Sequence, residues 1–201
     1  MNPSQMERLR DAVLAPYIQL ATTLIGRPRR CGGNMFRHQM DTLGILIDYG
    51  YVDPVLLKAA IIHDLIEDEP TFRVEEITCL PDGEAVLSLV REVSKDPAET
   101  KADFLNRIRH RGSSLAKVLK VADRLSNMIG LGLVNDINFI KRYILETALY
   151  VYPIADEVNE NMARELRDLI SSRMDLLMHR PLGSTQPSPS SPSLSPSDAD
   201  E

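Results

Sequence analysis

Four ionisable side chains crowd into six positions of an otherwise apolar stretch. The segment AAIIHDLIEDE sets His63 beside Asp64 and places Glu67 and Asp68 four residues after each of them. Residues i and i+4 share one face of a helix, so its two edges carry His-then-Glu and Asp-then-Asp. The preceding run from Val55 to Ile62 holds a single charge, Lys58, which marks a buried helix. A lone histidine there reads as a satisfied core residue at a helix end that turns to solvent. The carboxylates beside it change the balance, because burying unpaired charge is costly. A cation offsets that cost. Adjacent imidazole and carboxylate groups supply one nitrogen and one oxygen ligand, half of a mixed metal site.

Further ligands must come from elsewhere, and the chain has four histidines. His110 lies in NRIRHRG, a basic helix end, and His179 abuts a tail rich in serine and proline. His38 follows Arg37 at the head of the apolar segment MDTLGILIDYG. A carboxylate stands in KVLKVADRLSNM, where Asp123 interrupts an apolar helix face and Asn127 follows at i+4, pointing the same way. Either residue alone reads equally as a structural hydrogen-bonding group. With His63 and Asp64 they give the order His, His-Asp, Asp across three helices. Between Asp11 and Asp41 there is no acidic residue, while Arg27, Arg29, Arg30 and Arg37 crowd the approach to His38. Guanidinium groups fit phosphate bidentately, and a solvated basic loop is the plainer alternative. Lys120 and Arg124 flank Asp123, but helical spacing cannot put all three on one face, and Arg124 could equally pair with a carboxylate. The stripe Lys101, Phe104, Arg107 reads as an amphipathic helix with no assigned function.

Helices must position these groups. Leu9, Val13, Tyr17, Leu20 and Leu24 recur at helical spacing, as one first helix requires. Asp53-Pro54 offers a cap and a first-turn proline for a central helix running through His63. Ser113 or Ser114 opens another, the isoleucines at 137, 140 and 144 continue the pattern before Pro153, and Leu166 to Leu177 closes it. With no Asn-Gly hairpin and no sustained alternation, the fold class is all-α: a single domain over residues 1–180, followed by a disordered tail over 181–201, PLGSTQPSPSSPSLSPSDADE. No window approaches the ~18 apolar residues of a membrane span, and the N-terminus lacks the order of a signal peptide, so the expectation is a cytoplasmic protein. Cys31 and Cys79 are too few for a disulfide framework. A net charge of −6 with pI ≈ 5.3 argues against nucleic acid or an anionic membrane as partner. Nothing in the sequence decides between a monomer and a homo-oligomer.

From about Arg27 to Leu131 the sequence resembles the HD-domain metal-dependent phosphohydrolases. Within that superfamily it is most similar to the hydrolase domain of RelA/SpoT-homologue alarmone enzymes, including the small stand-alone alarmone hydrolases. The segments that carry the resemblance are RPRRCGGNMFRH, with Arg29 nine residues before His38; IIHDLIEDE; EVSKD; and KVADRLSNM. The resemblance implies an HD-domain helical bundle in which His38, His63, Asp64 and Asp123 hold one divalent ion, Mn²⁺ in this family. It implies that Glu67 and Asp68 orient and deprotonate the attacking water, and that Arg29 and Asn127 lie near the nucleotide. Arg30 and Arg37 join them as expected phosphate contacts. The implied reaction is removal of the 3′-pyrophosphate from ppGpp or pppGpp, giving GDP or GTP. The chain left over is too short for a synthetase domain, so degradation alone is expected. Two departures fall at the nucleotide loop: the family's Pro-Tyr is Asn34-Met35 here, and its His-Pro is His38-Gln39. A hydrolase of another nucleotide or phosphorylated metabolite, and a silent nucleotide-sensing module, stay open as alternatives.

Overall fold

Capping side chains start six of the helices. Asn2, Asn34, Asp53, Thr100, Ser113 and Asp136 each accept a hydrogen bond from the backbone N–H three residues on, satisfying a donor that the first helical turn leaves free. The computed structural model describes residues 1–69 and 71–179. In chain order the first helices are α1 (Pro3–Asp11), α2 (Ala15–Ala21), α3 (Met35–Asp48), α4 (Pro54–Ile62), α5 (Leu65–Asp68) and α6 (Glu75–Thr78). They are followed by α7 (Gly83–Val93), α8 (Lys101–Arg111), α9 (Ser114–Gly130), α10 (Ile137–Glu146), α11 (Tyr152–Val158) and α12 (Glu160–His179). Among the described residues there is no strand beyond an isolated bridge between Pro28 and Asn34, so the all-α expectation holds. None of these helices is long and apolar enough to cross a membrane. The tail expected over 181–201 lies outside the described residues.

Two helices form the centre. Every residue of α4 from Leu56 to Ile62 is buried, Lys58 included; its ammonium is matched by Asp82 Oδ2 at 2.5 Å. The other is α9, which packs against α3, α7, α11 and α12 and buries Ala116, Leu119, Ala122, Leu125 and Met128. α3 lies against both, so three separate segments bring polar side chains to one place.

The structure corrects three expectations about these elements. The first helix is not continuous: α1 ends at Asp11, Pro16 opens α2 where its missing N–H costs nothing, and a 3₁₀ turn covers Thr22–Gly26. The central helix stops at Ile62, and His63 with Asp64 forms a turn before the single turn of α5. His63 Nδ1 lies 2.8 Å from the Ala60 carbonyl, the acceptor that the Asp64 amide would use in an unbroken helix. Pro153, by contrast, ends nothing. A π-helical turn over Thr147–Val151 precedes it and leads into α11 with Pro153 in its first turn.

Asp53 caps the helix that leads to His63 through a 3.0 Å bond from Leu56 N–H. Asp53→Ala should lower unfolding stability by about 1 kcal/mol, read from urea denaturation. An unchanged midpoint would contradict the cap.

Candidate metal centre and phosphate pocket

His38 comes from α3, His63 and Asp64 from the break between α4 and α5, and Asp123 from α9. His38 Nε2 lies 3.1 Å from Asp123 Oδ1 and 3.4 Å from Asp64 Oδ2. His63 Nε2 lies 3.3 Å from Asp64 Oδ2 and 3.8 Å from Asp123 Oδ1. The rings meet edge to face, with centroids 5.3 Å apart. His38, His63 and Asp123 are buried, and Asp64 is half-buried. One ligand atom from each of His38, His63 and Asp64 falls within 4.8 Å of the others.

The outer ring nitrogens are already engaged, His38 Nδ1 with Ser126 Oγ and His63 Nδ1 with the Ala60 carbonyl, both at 2.8 Å. A carbonyl can only accept, so His63 Nδ1 carries a proton, and Nε2, which faces two carboxylates, is the atom that either takes a second proton or, in the neutral ring, offers its lone pair to a cation. That nitrogen is buried without a hydrogen-bond partner. With no ion, burial opposes protonation, but the charges of Asp64 and Asp123 outweigh it and push the His63 pKa up to about 9. An inward set of two nitrogens and two carboxylates around an orphaned lone pair fits a divalent cation. The carboxylates are held from behind. Gln39 donates to Asp64 Oδ2 at 3.1 Å, Lys120 to Asp123 Oδ2 at 2.7 Å and Asn127 to Asp123 Oδ1 at 2.5 Å. Burial works to raise the Asp123 pKa; Lys120 and the two histidines overcome it and hold the carboxyl well below its ordinary value.

A cavity of about 130 Å³ opens on His38, Asp64 and Asp123, and its other walls include Glu67, Lys101, Phe104 and Lys120. Glu67 Oε1 accepts from the Lys95 backbone N–H at 2.8 Å. Asp68 is half-buried; burial first, then the charges of Asp64 and Glu67, push its pKa up to about 6. Lys101 is exposed, and its ammonium lies 5.2 Å from the centroid of the Phe104 ring. Desolvation and the charges of Lys120 and Arg124 lower its pKa. Arg124 also lines the cavity but is spent on α10, bonding Glu146 at 2.5 Å and Thr147 at 3.0 Å and lying 4.2 Å over the Tyr143 ring. Its pairing with a carboxylate is as expected, but the expectation that helical spacing keeps Lys120, Asp123 and Arg124 off one face is corrected: positions i, i+3 and i+4 lie on the same side of a helix, and all three line this cavity.

The arginine-rich loop folds back on itself. Gly32 and Gly33 take φ of 88° and 70°, a region that side chains disfavour, and Arg29 N–H reaches the Gly33 carbonyl at 3.2 Å. Arg29 is thereby aimed at Asn127 Oδ1, 2.9 Å away, one bond removed from Asp123. Arg30 lies 4.8 Å over the Phe139 ring. These residues line a second cavity of about 230 Å³ that shares Met35, Asn127 and Tyr143 with the first. Arg37 is the correction. It is exposed, pairs with Asp41 at 2.8 Å and lines neither cavity, because one residue before His38 on a helix points about 100° away from it. Sequence reasoning missed Gln39, Ser126, Lys101 and Phe104, and the aromatic wall of Phe139 and Tyr143. The signal for Phe104 was present in its stripe with Lys101, but not which neighbour that stripe faces.

No protein-family profile matches the chain. The GTP pyrophosphokinase rsh of Brucella ovis and that of Brucella abortus are each 31% identical to it over 171 residues, which covers 79% of this chain. Over that stretch the chain is homologous to these rsh proteins, members of the RelA/SpoT family. It spans 22% of the length of those RelA/SpoT relatives. Its fold is also that of a solved metazoan orthologue of SpoT, a protein that hydrolyses ppGpp and plays a role in starvation responses. The two superpose with a TM-score of 0.64 over 86% of this chain and 97% of the other, at 23% identity.

A ligand that binds only the folded state stabilises it by about 2.7 kcal/mol at 100 times its Kd. Saturating Mn²⁺ should therefore raise Tm by roughly 5–10 °C, and His63→Ala should abolish the rise. Equal shifts in both proteins would remove His63 from the site.

Proposed function

We propose that the protein is a divalent-metal-dependent hydrolase that releases the 3′-pyrophosphate of ppGpp or pppGpp, yielding GDP or GTP and pyrophosphate. The observation that carries this reading is His63 Nε2, buried without a hydrogen-bond partner and turned toward Asp64 and Asp123, which line a cavity together with Lys101 and Lys120. The nucleotide chemistry in the relatives' name and the ppGpp hydrolysis of the metazoan SpoT orthologue point to the substrate class. In this reading the hydrolase domain extends over residues 1–180 and the ion is Mn²⁺.

His38, His63, Asp64 and Asp123 would hold the ion, two neutral imidazoles and two carboxylates giving a formally neutral shell. When bound, such an ion lowers the pKa of water and steadies negative charge on a phosphoryl oxygen. The remaining work falls to side chains. Glu67 has Oε1 fixed by the Lys95 amide, which leaves Oε2 to take a proton from the water that attacks the phosphorus on the ribose 3′-oxygen. Asp68 does not line the cavity but lies near enough for the charge of Glu67 to act on it, and would support that proton transfer from behind. The bond between that phosphorus and the 3′-oxygen breaks, the leaving 3′-oxygen takes a proton from solvent and Glu67 returns its own to solvent, so no covalent enzyme intermediate is needed. Lys101 and Lys120 supply counter-charge to the pyrophosphate. Arg29 and Asn127 would contact the nucleotide at the junction of the cavities, with Arg30 and Phe139 offering flat faces to the base.

Purified protein with ppGpp and Mn²⁺ should release pyrophosphate. Orthophosphate as product, or no turnover with ion bound, would retire this substrate. Asp68→Asn and Glu67→Gln should each lower kcat by about 10²- to 10⁴-fold while leaving ion affinity intact; an unchanged rate would remove them from the chemistry. Because Asp68 works as the carboxylate and burial raises its pKa, kcat should rise with pH along an acid limb. Asp68→Asn should lose that limb, and persistence of the limb would assign it to another group.

A further inference from the structure

Glu67 stands on a single helical turn with its side chain exposed at the cavity. Its one side-chain hydrogen bond among the described residues is the one from Lys95 N–H. Lys95 belongs to the connection between α7 and α8, and that connection is tied together internally. The Lys95 ammonium donates to the carbonyls of Asp96 and Glu99 at 2.9 and 2.7 Å, and Asp96 N–H donates to Glu99 Oε2 at 3.2 Å. Arg107 then fastens the whole turn to α8. Its Nε and Nη2 bond the Glu99 carboxylate at 2.7 and 3.1 Å, and Nη1 and Nη2 bond the carbonyls of Glu92 and Ser94, both at 2.9 Å. The same guanidinium lies 5.3 Å from the centroid of Phe104, a wall of the cavity.

We propose that Arg107 and Glu99 are positioning residues: they form a clamp that fixes the Lys95 amide and, through it, the carboxylate of Glu67. The inference rests on the reading that Glu67 handles the proton of the attacking water. Arg107 uses its fork in four directions at once, which a lysine cannot copy. None of its bonds reaches the cluster of histidines and aspartates, so its route to Glu67 runs through the turn. A displacement near 1 Å at a reacting group costs about 10²-fold in rate, and beside the Thr100 cap at the start of α8 the clamp ties the Lys95 end of this turn to α8.

Arg107→Gln and Glu99→Gln are the variants; the second keeps both carbonyl bonds of Arg107 and so preserves the fold if the first does not. Each should lower kcat for ppGpp by about 10- to 100-fold with KM within about twofold, and neither should lower the residual rate of Glu67→Ala further. The Lys95 amide proton, held downfield by its carboxylate acceptor, should move upfield in Glu67→Ala and partway in each clamp variant. Unchanged kcat, an equal loss in the Glu67→Ala background, or a Lys95 amide unmoved in the clamp variants would overturn the proposal. If the wild-type protein turns over no ppGpp, the functional reading fails on its own, and the Lys95 amide decides the clamp.

Discussion

Two carboxylates and two imidazoles aimed at one another in a largely buried space are the constraint from which the rest of the structure follows. Left without an ion, the cluster must hold a proton on His63 against its own burial, and the raised His63 pKa measures how strongly Asp64 and Asp123 demand positive charge there. Hydrogen bonds from Gln39, Lys120 and Asn127 partly meet that demand from outside. They leave His63 Nε2 itself buried without a hydrogen-bond partner. A divalent cation meets it directly, which is why the donor set reads as a metal centre rather than as a core ion-pair network.

The fold serves this convergence. α9 must present Asp123 inward at a fixed height, and its neighbour Arg124 pins the helix from the other side through Glu146, Thr147 and the Tyr143 ring. The guanidinium is almost fully buried, so its hydrogen bonds are made where water cannot replace them. The π-helical turn that contains Thr147 thus joins the packing of α10 to the height of Asp123. On the opposite side, the break after Ile62 lets His63 and Asp64 face the same point, which an unbroken helix would rotate about 100° apart.

Much of this was legible in the sequence, for a physical reason. Polar residues in apolar runs are conspicuous because burying them needs a partner, and His63, Asp64 and Asp123 stand out on that ground alone. The caps at Asp53 and Ser113 were equally plain. What stayed hidden depends on rotation and on tertiary placement. Arg37 carries the same charge as Arg29 and lies nearer in sequence to His38, yet helix phase turns it to Asp41 while the glycine turn aims Arg29 at Asn127. The stripe of Lys101 and Phe104 is amphipathic in any reading, and only the packing of α8 beside α9 makes it a wall of the cavity. No glycine or proline announces the break at His63, and Pro153 announces an end that the π-helical turn cancels.

The site therefore has two layers with different legibility: inner groups dictated by chemistry, and outer supports such as Ser126, Gln39 and the Arg107 fork that depend on three-dimensional context. The central claim concerns the inner layer. Crystals grown with Mn²⁺ and measured for anomalous scattering at the manganese edge test it most directly. The account predicts a single strong peak among His38 Nε2, His63 Nε2 and the carboxylate oxygens of Asp64 and Asp123. A peak elsewhere, or none while those four side chains stay bonded to one another, would contradict it.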